Sequence, residues 1–496
     1  MASTKSAPTK GHAARFRSST TRERAKRSGQ KPLWNHQKKT VALDRRQARV
    51  YDASDPGTGK TRAHLHAFDQ RRKKGGKCLL VLAPKSLLQS AWGNDLDEYF
   101  PHLTYTKAYA ENRVEAFAED VDVYITNIDA VKWLVKQPKK FFARFDSLII
   151  DEITAYKHRT SARSKAIAKI KNFFDYRVGM SGTPNPNSVT ELWHQAYILD
   201  DGKRLGRSFF QFRNATCDAV QIGPKAEHRK WNDKPGAELA VGKLVSDITI
   251  RHQFDECMDI PENHSYPQDY TLPKKVQQVY REMEDHAIIE LENNRVTAVH
   301  AAVLRNKLLQ IASGAVYSTD MSDPGDWKAY KAAQWTEIDN GRNELILDLI
   351  EQRQHSVTFF LWRHQREMLA TEADKRGVTY EIIDGTTPVR RREAIVAAYQ
   401  AGFYQTLFLH PRTGAHGLTL TKGTSSIWAS PIYEADLLKQ GLHRVYRGGQ
   451  TKRTENIMVR AKNTVEGLVY SMLTDKSVRM NNLLDLLKET RHAKAA

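Results

Sequence analysis

The chain reads as an α/β protein of two parallel-sheet lobes with a helical insertion between them. Three observations predict this. Short, continuously apolar runs alternate with helical stretches over residues 48–200 and again over about 340–474, the pattern of sheets covered on both faces. Between these halves, 203–335 gives up the alternation for longer helical patterns such as Val276–Asn294 and Val296–Ala312. A glycine-rich loop, Ser54-Asp-Pro-Gly57-Thr58-Gly59-Lys60-Thr61, occurs in the first half and has no counterpart in the second. The expected domains are a basic arm (1–31), a first lobe (32–202), the insertion (203–335), a second lobe (336–474) and a C-terminal helix and tail (475–496). At 496 residues and 40% apolar composition, two large lobes can each bury a core.

The arm carries Lys and Arg against one acid, Glu23, among many Ser and Thr, and reads as disordered. A transit peptide and a nuclear address stay open beside a solvated arm touching a nucleic-acid backbone. Over the whole chain 77 Lys+Arg face 57 Asp+Glu, a net charge of +20 that favours a polyanionic partner, most simply nucleic acid. Cys78, Cys217 and Cys257 are too few and too scattered for a disulfide framework or a zinc site, which points to a reducing compartment. No run approaches the roughly eighteen apolar residues that span a bilayer.

In the first lobe, Leu33-Trp-Asn-His-Gln37 precedes the sheet, and the Gln37 amide suits the donor–acceptor edge of adenine. Ala48–Asp52 reads as a strand, and Arg62–Lys74 as a helix ending in cations before Gly75-Gly76. Strand, glycine loop and helix are the context of a phosphate-binding loop. Gly57 and Gly59 let backbone N–H groups, that of Thr58 included, approach phosphate oxygens at a helix N-terminus. Lys60 would reach the β- and γ-phosphates, and the Thr61 hydroxyl would hold Mg2+.

Further strands are read at Cys78–Ala83, Val121–Thr126, Ser147–Ile150 and Tyr176–Met180, with an amphipathic helix over Ser161–Phe174. Asp151 and Glu152 stand at the end of the third of these. There a carboxylate can join a metal sphere (Asp151) and another can orient and deprotonate a water (Glu152). Ser181-Gly182-Thr183-Pro184 ends the fourth, its hydroxyls set to sense a γ-phosphate through the acidic pair. Lys85-Ser86 and Thr126-Asn127 at strand ends, with Trp362-Arg363 in the second lobe, combine cations, hydroxyls, amides and an aromatic. That is the kit for holding a phosphodiester backbone without reading bases.

In the second lobe Asn343–Ile350 and Pro388–Tyr399 read as helices, and Val357–Leu361, Thr406–Leu409 and Ser426–Ser430 as strands. Gln440-Gly-Leu-His-Arg444-Val-Tyr-Arg447 then reads as one helix stopped by Gly448-Gly449, with Gln440, Arg444 and Arg447 on one face. Two guanidiniums a turn apart suit a polyphosphate. With no phosphate loop of its own, this half can complete a nucleotide site on the first lobe.

Together these strings resemble the ordered motifs of helicase superfamily two, specifically its Swi/Snf-like DNA-translocating ATPases, over about residues 32–490. Ala83–Trp92 resembles the family's second block, Asp151-Glu152 its Walker B pair, and Gly182-Thr183-Pro184 its third motif. His416-Gly-Leu-Thr-Leu-Thr421 resembles the fifth, and Gln440–Gln450 matches the sixth at each fixed position. Thr464–Leu473 looks like the brace helix that follows. Ser54 in place of a small Ala or Gly, His443 where an acid often stands, and His410-Pro411 after the preceding strand depart from the pattern.

The resemblance implies two RecA-like lobes of the P-loop NTPase class, ATP and Mg2+ as cofactors, and DNA, duplex or branched, as partner. It places Arg444 and Arg447 across the lobe cleft, Arg447 as the finger on the γ-phosphate, and gives Gln440 a part in closing that cleft. The expected catalytic set is then Lys60, Asp151, Glu152, Arg444 and Arg447, in a compact, cytoplasmic protein of bacterial or phage type, with no stable oligomer implied. An RNA or single-strand unwinding helicase, and an ATP-gated binding or annealing module, stand as alternatives.

Overall fold

The computed structural model describes residues 32–184, 188–221, 229–292, 298–318, 334–414 and 418–473. The arm at 1–31, the tail at 475–496 and His416 lie outside the described residues. The strands, in chain order, are β1 (Arg49–Asp52), β2 (Cys78–Ala83), β3 (Tyr105–Ala108), β4 (Val123–Asn127), β5 (Phe145–Asp151), β6 (Tyr176–Met180), β7 (Cys217–Gln221), β8 (Arg229–Asp233), β9 (Thr249–Ile250), β10 (Asn263–Tyr270), β11 (Ala315–Tyr317), β12 (Trp335–Glu337), β13 (Ser356–Phe359), β14 (Tyr380–Ile383), β15 (Thr406–Leu409), β16 (Ser425–Trp428) and β17 (Thr454–Ala461).

Two parallel sheets organise them. The first runs β3-β4-β2-β5-β6-β1-β9 and the second β10-β17-β16-β13-β15-β14, with every pairing parallel. The continuous apolar strands have the cause expected of them, since both faces are covered. On β2, Leu80 and Leu82 join the core on one face, while Leu79, Val81 and Ala83 join the core on the other. Alternate residues of the second sheet divide likewise, Leu407 and Leu409 from Phe408. Two parallel lobes, as the sequence predicts, are the architecture of this chain.

The stretch 203–335 departs from the helical insertion expected there. Strand β9 returns to the first sheet as the edge beside β1, and β10 opens the second sheet beside β17. A two-residue strand carries no readable periodicity. Strand β10 is polar and contains Pro267, so it reads as loop; at a sheet edge both features are tolerated. The helices Lys274–Glu292 and Ala298–Ala312 do form, and Leu272, Val276, Tyr280, Leu308 and Ile311 share a core with Ala461 at the end of β17. The remainder includes the helices Phe209–Thr216 and Ala237–Val245 and the antiparallel ribbon β7–β8.

A buried ion pair ties the second lobe together. Arg342 and Glu466 are both fully buried, with Nη1 of the arginine 2.8 Å from Oε1 of the glutamate. The guanidinium also donates to the carbonyls of Ala312 (3.0 Å) and Val459 (2.8 Å), and Glu466 accepts from the Ala461 N–H at 2.6 Å. Removing one member of such a pair strands the other charge in a dry interior, at a cost of about 3–5 kcal/mol. Arg342→Ala is therefore expected to destabilise the second lobe by that amount in urea titration. A loss below about 1 kcal/mol would show that the pair anchors nothing.

Candidate active site

The glycine loop follows β1 and is held from beneath. Asp52, the last residue of β1, accepts from the Ser54 N–H at 2.9 Å with one carboxylate oxygen and meets His64 Nε2 at 2.9 Å with the other. His64 Nδ1 meets Asp44 at 2.8 Å. Burial works against a charged imidazole here, yet Asp44 and Asp52 raise the His64 pKa to about 10, so the ring is an imidazolium clamped between carboxylates. The same partner holds the buried Asp52 carboxyl below its usual range. This triad fixes the strand–loop–helix junction.

Gly57 and Gly59 adopt φ of +86° and +73°, the left-handed region that glycine enters freely. A Cβ at Gly59 would collide with Gln37, and one at Gly57 would come within 2.8 Å of the Phe254 ring. Gly59 is the N-cap of the helix Lys60–Arg72. Lys60 Nζ donates to the carbonyls of Ser54 (2.7 Å) and Asp55 (3.0 Å), which keeps the ammonium inside the loop's curve. The Thr58 hydroxyl donates to the Asp55 carbonyl at 2.9 Å. Gln37 donates to the Gly59 carbonyl at 3.0 Å and accepts from the Trp34 N–H at 3.0 Å, while the His36 ring meets the Thr58 carbonyl at 2.8 Å. Both ends of the Gln37 amide thus serve the loop and its own helix start.

The acidic pair closes the end of β5, two strands from β1. Asp151 accepts the indole N–H of Trp92 at 2.9 Å, and burial raises its pKa. Glu152 sits at φ 59°, ψ 59°, a left-handed conformation that costs a non-glycine residue about 1–2 kcal/mol. Burial first, then the Asp151 charge, raises its pKa to about 7. The Ser181 hydroxyl lies 3.4 Å from Glu152 Oε2 and also accepts from the Thr183 N–H at 3.1 Å.

The second lobe reaches this cluster, though by a different local structure from the one expected. The helix Ala435–Leu442 carries Gln440 but ends before Arg444 and Arg447, which lie in the turns that follow. Tertiary pairing stops it: the Arg444 carbonyl accepts from Leu420 N–H at 3.0 Å, and Arg444 Nε takes the Gln440 carbonyl at 2.8 Å. Both arginines still converge, because Nη1 of each donates to the Leu418 carbonyl (3.1 and 3.3 Å). Gln440 Nε2 lies 3.4 Å from Glu152 Oε1. The Arg447 Cγ would be 3.6 Å from a Cβ on Gly57, so its side chain lies over the glycine loop. Burial and the neighbouring Arg447 lower the Arg444 pKa to about 9, still a cation at neutral pH.

Several contacts here are not legible in the sequence. Lys439 pairs with Asp55 of the loop at 2.7 Å across the lobes. The segment after β9 walls the loop: His252 N–H donates to Ser54 Oγ at 3.0 Å, and Phe254 N–H to Asp55 at 3.1 Å. The Phe254 ring meets His443 and Tyr446 edge-on, each at 5.2 Å. Trp92 ends the string Ala83–Trp92, but nothing in that string says its N–H reaches Asp151.

The backbone-binding candidates divide. Lys85 is exposed at the end of β2, and Ser86 is half-buried beside it. Asn127 is half-buried and accepts from Arg113 at 2.9 Å, and Arg363 pairs with Glu367 at 2.7 Å. Thr126 and Trp362 do not fit the expectation. Thr126 is fully buried, its hydroxyl donating to the Ala108 carbonyl at 2.7 Å, and Trp362 is fully buried in the second lobe's core. Thr126 faces inward near the end of β4, and Trp362 does so as the N-cap of the helix Arg363–Arg376, so neither presents a face to a strand of nucleic acid.

A family model described as the SNF2-related domain matches residues 40–314, more than half of the chain. The chain is 27% identical over 467 residues to protein p41 of Acyrthosiphon pisum secondary endosymbiont phage 1, covering 90% of this chain and 96% of that one. It is 23% identical over 463 residues to YwqA of Bacillus subtilis, named an ATP-dependent helicase/translocase, covering 87% of this chain but 46% of that one. It thus spans less than half the length of the Bacillus relative. Among solved structures, a Sulfolobus solfataricus SWI2/SNF2 ATPase core in complex with dsDNA aligns at 19% identity and a TM-score of 0.41, covering 93% of this chain and 95% of that one.

Proposed function

This chain belongs to the SNF2-related family of ATP-hydrolysing enzymes, and we propose that it is a DNA-stimulated motor that moves along duplex or branched DNA. The observation that carries the reading is the meeting of the two lobes over one phosphate loop, Lys439 on Asp55, Arg447 over Gly57 and Gln440 at Glu152. The net charge of +20 and the exposed Lys85 at the end of β2 support DNA as the track.

In this reading Lys60 and the loop N–H groups bind the β- and γ-phosphates. The Thr61 hydroxyl and the Asp151 carboxylate are hard oxygen donors that fit Mg2+, which when bound neutralises charge on the transferred phosphoryl group. Glu152 takes the proton of the attacking water; Ser181 and Gln440 hold its two oxygens. Arg447 and Arg444 stabilise charge that develops on the γ-phosphate. Because they come from the other lobe, hydrolysis requires closure, and a backbone gripped by both lobes favours closure. No described helix is long and apolar enough to cross a membrane, and the cytoplasm of a bacterial or phage-infected cell is the proposed setting.

The test is ATPase activity with duplex DNA, duplex RNA and single strands side by side, paired with displacement of a triplex-forming strand. Duplex DNA should stimulate most, and the triplex should be displaced without unwinding. Equal stimulation by RNA or single strands would favour an unwinding helicase instead. Lys85→Ala should weaken DNA binding evenly across sequences and lower the salt slope by about one; an unchanged slope would remove Lys85 from the backbone.

A further inference from the structure

Between the Lys85–Ser86 loop, in which Lys85 is exposed, and Asp151 lies a short chain of contacts that the motor reading does not use. After the loop the backbone forms a π-helical turn, Leu88–Gly93, and then the helix Asn94–Tyr99. The Ser90 hydroxyl donates back to the Ser86 carbonyl at 2.6 Å, tying the loop to the turn. Trp92, two residues on, is fully buried and donates its indole N–H to Asp151 Oδ2 at 2.9 Å. Single π-turns are rare and concentrate at functional sites, since the widened turn costs hydrogen-bond geometry that an α-turn keeps.

We propose that Trp92 is a positioning residue that couples the Lys85–Ser86 loop to Asp151. Its indole N–H holds one carboxylate oxygen and leaves the other for the Mg2+ sphere, and the π-turn carries a grip on a phosphodiester backbone to that hold. The proposal rests on the reading of the chain as a nucleic-acid-stimulated ATPase. Residues behind a metal ligand that fix its orientation commonly change metal affinity or activity by about 10–100-fold when lost. Trp92 stands in that relation to Asp151.

Trp92→Phe keeps a ring in the core and removes the donor. The half-saturating Mg2+ concentration for binding a fluorescent ATP analogue should rise about tenfold, with the melting profile little changed. An unchanged Mg2+ requirement in the folded variant would overturn the clamp. In the wild-type protein labelled with 15N-tryptophan, the Trp92 indole resonance should move when a duplex oligonucleotide is added without nucleotide. It is identified by its loss in Trp92→Phe, or by elimination among the other tryptophans if that variant does not fold. A resonance unmoved at saturating duplex would overturn the coupling. If duplex DNA fails to stimulate the wild-type ATPase at all, the motor reading falls, while the Mg2+ titration still decides the Trp92–Asp151 clamp.

Discussion

Arg447→Ala is expected to bind ATP nearly as the wild type does and to lose about 10³-fold or more of DNA-stimulated turnover. An arginine supplied to a transferring phosphoryl group is worth about 10³–10⁵ in rate, or roughly 4–7 kcal/mol of barrier. Its position supports that role: its side chain crosses from the second lobe to lie over Gly57, and its guanidinium donates to the Leu418 carbonyl at 3.3 Å. Arg444 is committed more deeply, to the carbonyls of Gln440 and Leu418, and so shapes the turn that presents its neighbour. The two substitutions should therefore differ. Arg444→Ala should loosen the turn and affect binding and turnover together, whereas Arg447→Ala should leave binding intact. Arg447→Lys should not restore the rate, because a point charge lacks the planar fork. Single-turnover hydrolysis alongside equilibrium nucleotide binding separates these cases, and near wild-type turnover in Arg447→Ala would end its assignment as the finger.

What the sequence disclosed and what it withheld follow from the range of the interactions. Strands such as β2 are buried on both faces, so each residue is apolar for its own local reason and the run is readable. The glycine loop is readable because positive φ at Gly57 and Gly59 restricts the residue type. By contrast, the helix around Gln440 ends at Leu442 because Leu420, distant in sequence, claims the Arg444 carbonyl, and a periodic pattern cannot report that. Strand β9 is invisible for a related reason: it is two residues long and exists through its pairing with β1. Thr126 and Trp362 show the converse error. Hydroxyls and aromatics at strand ends serve cores as readily as nucleic acids, and only burial tells the two uses apart.

Glu152→Gln should keep ATP binding and reduce hydrolysis by about 10²–10⁴-fold, the range for a positioned general base. The substitution preserves shape and leaves an amide that can still meet Ser181 and Gln440, so what it removes is proton acceptance. Three features single out this carboxylate over Asp151. Its pKa is raised to about 7 by burial and by the Asp151 charge, near the value that suits a base at neutral pH. Its backbone is held at φ 59°, a strained conformation of the kind that clusters at active sites. And its two oxygens face different lobes, Oε2 toward Ser181 of the first at 3.4 Å and Oε1 toward Gln440 of the second at 3.4 Å. In the proposed mechanism a base held in this way is aligned only when the lobes are together, so that proton transfer, as well as charge stabilisation by Arg447, would be conditional on closure. It follows that Gln440→Ala should cost less than Glu152→Gln, and that the double variant should be no slower than Glu152→Gln alone, since groups acting as a unit are non-additive. Rapid-quench hydrolysis of the three variants decides the matter: additive losses would mean that Gln440 acts elsewhere, and a Glu152→Gln enzyme within about tenfold of wild type would mean that another group takes the proton.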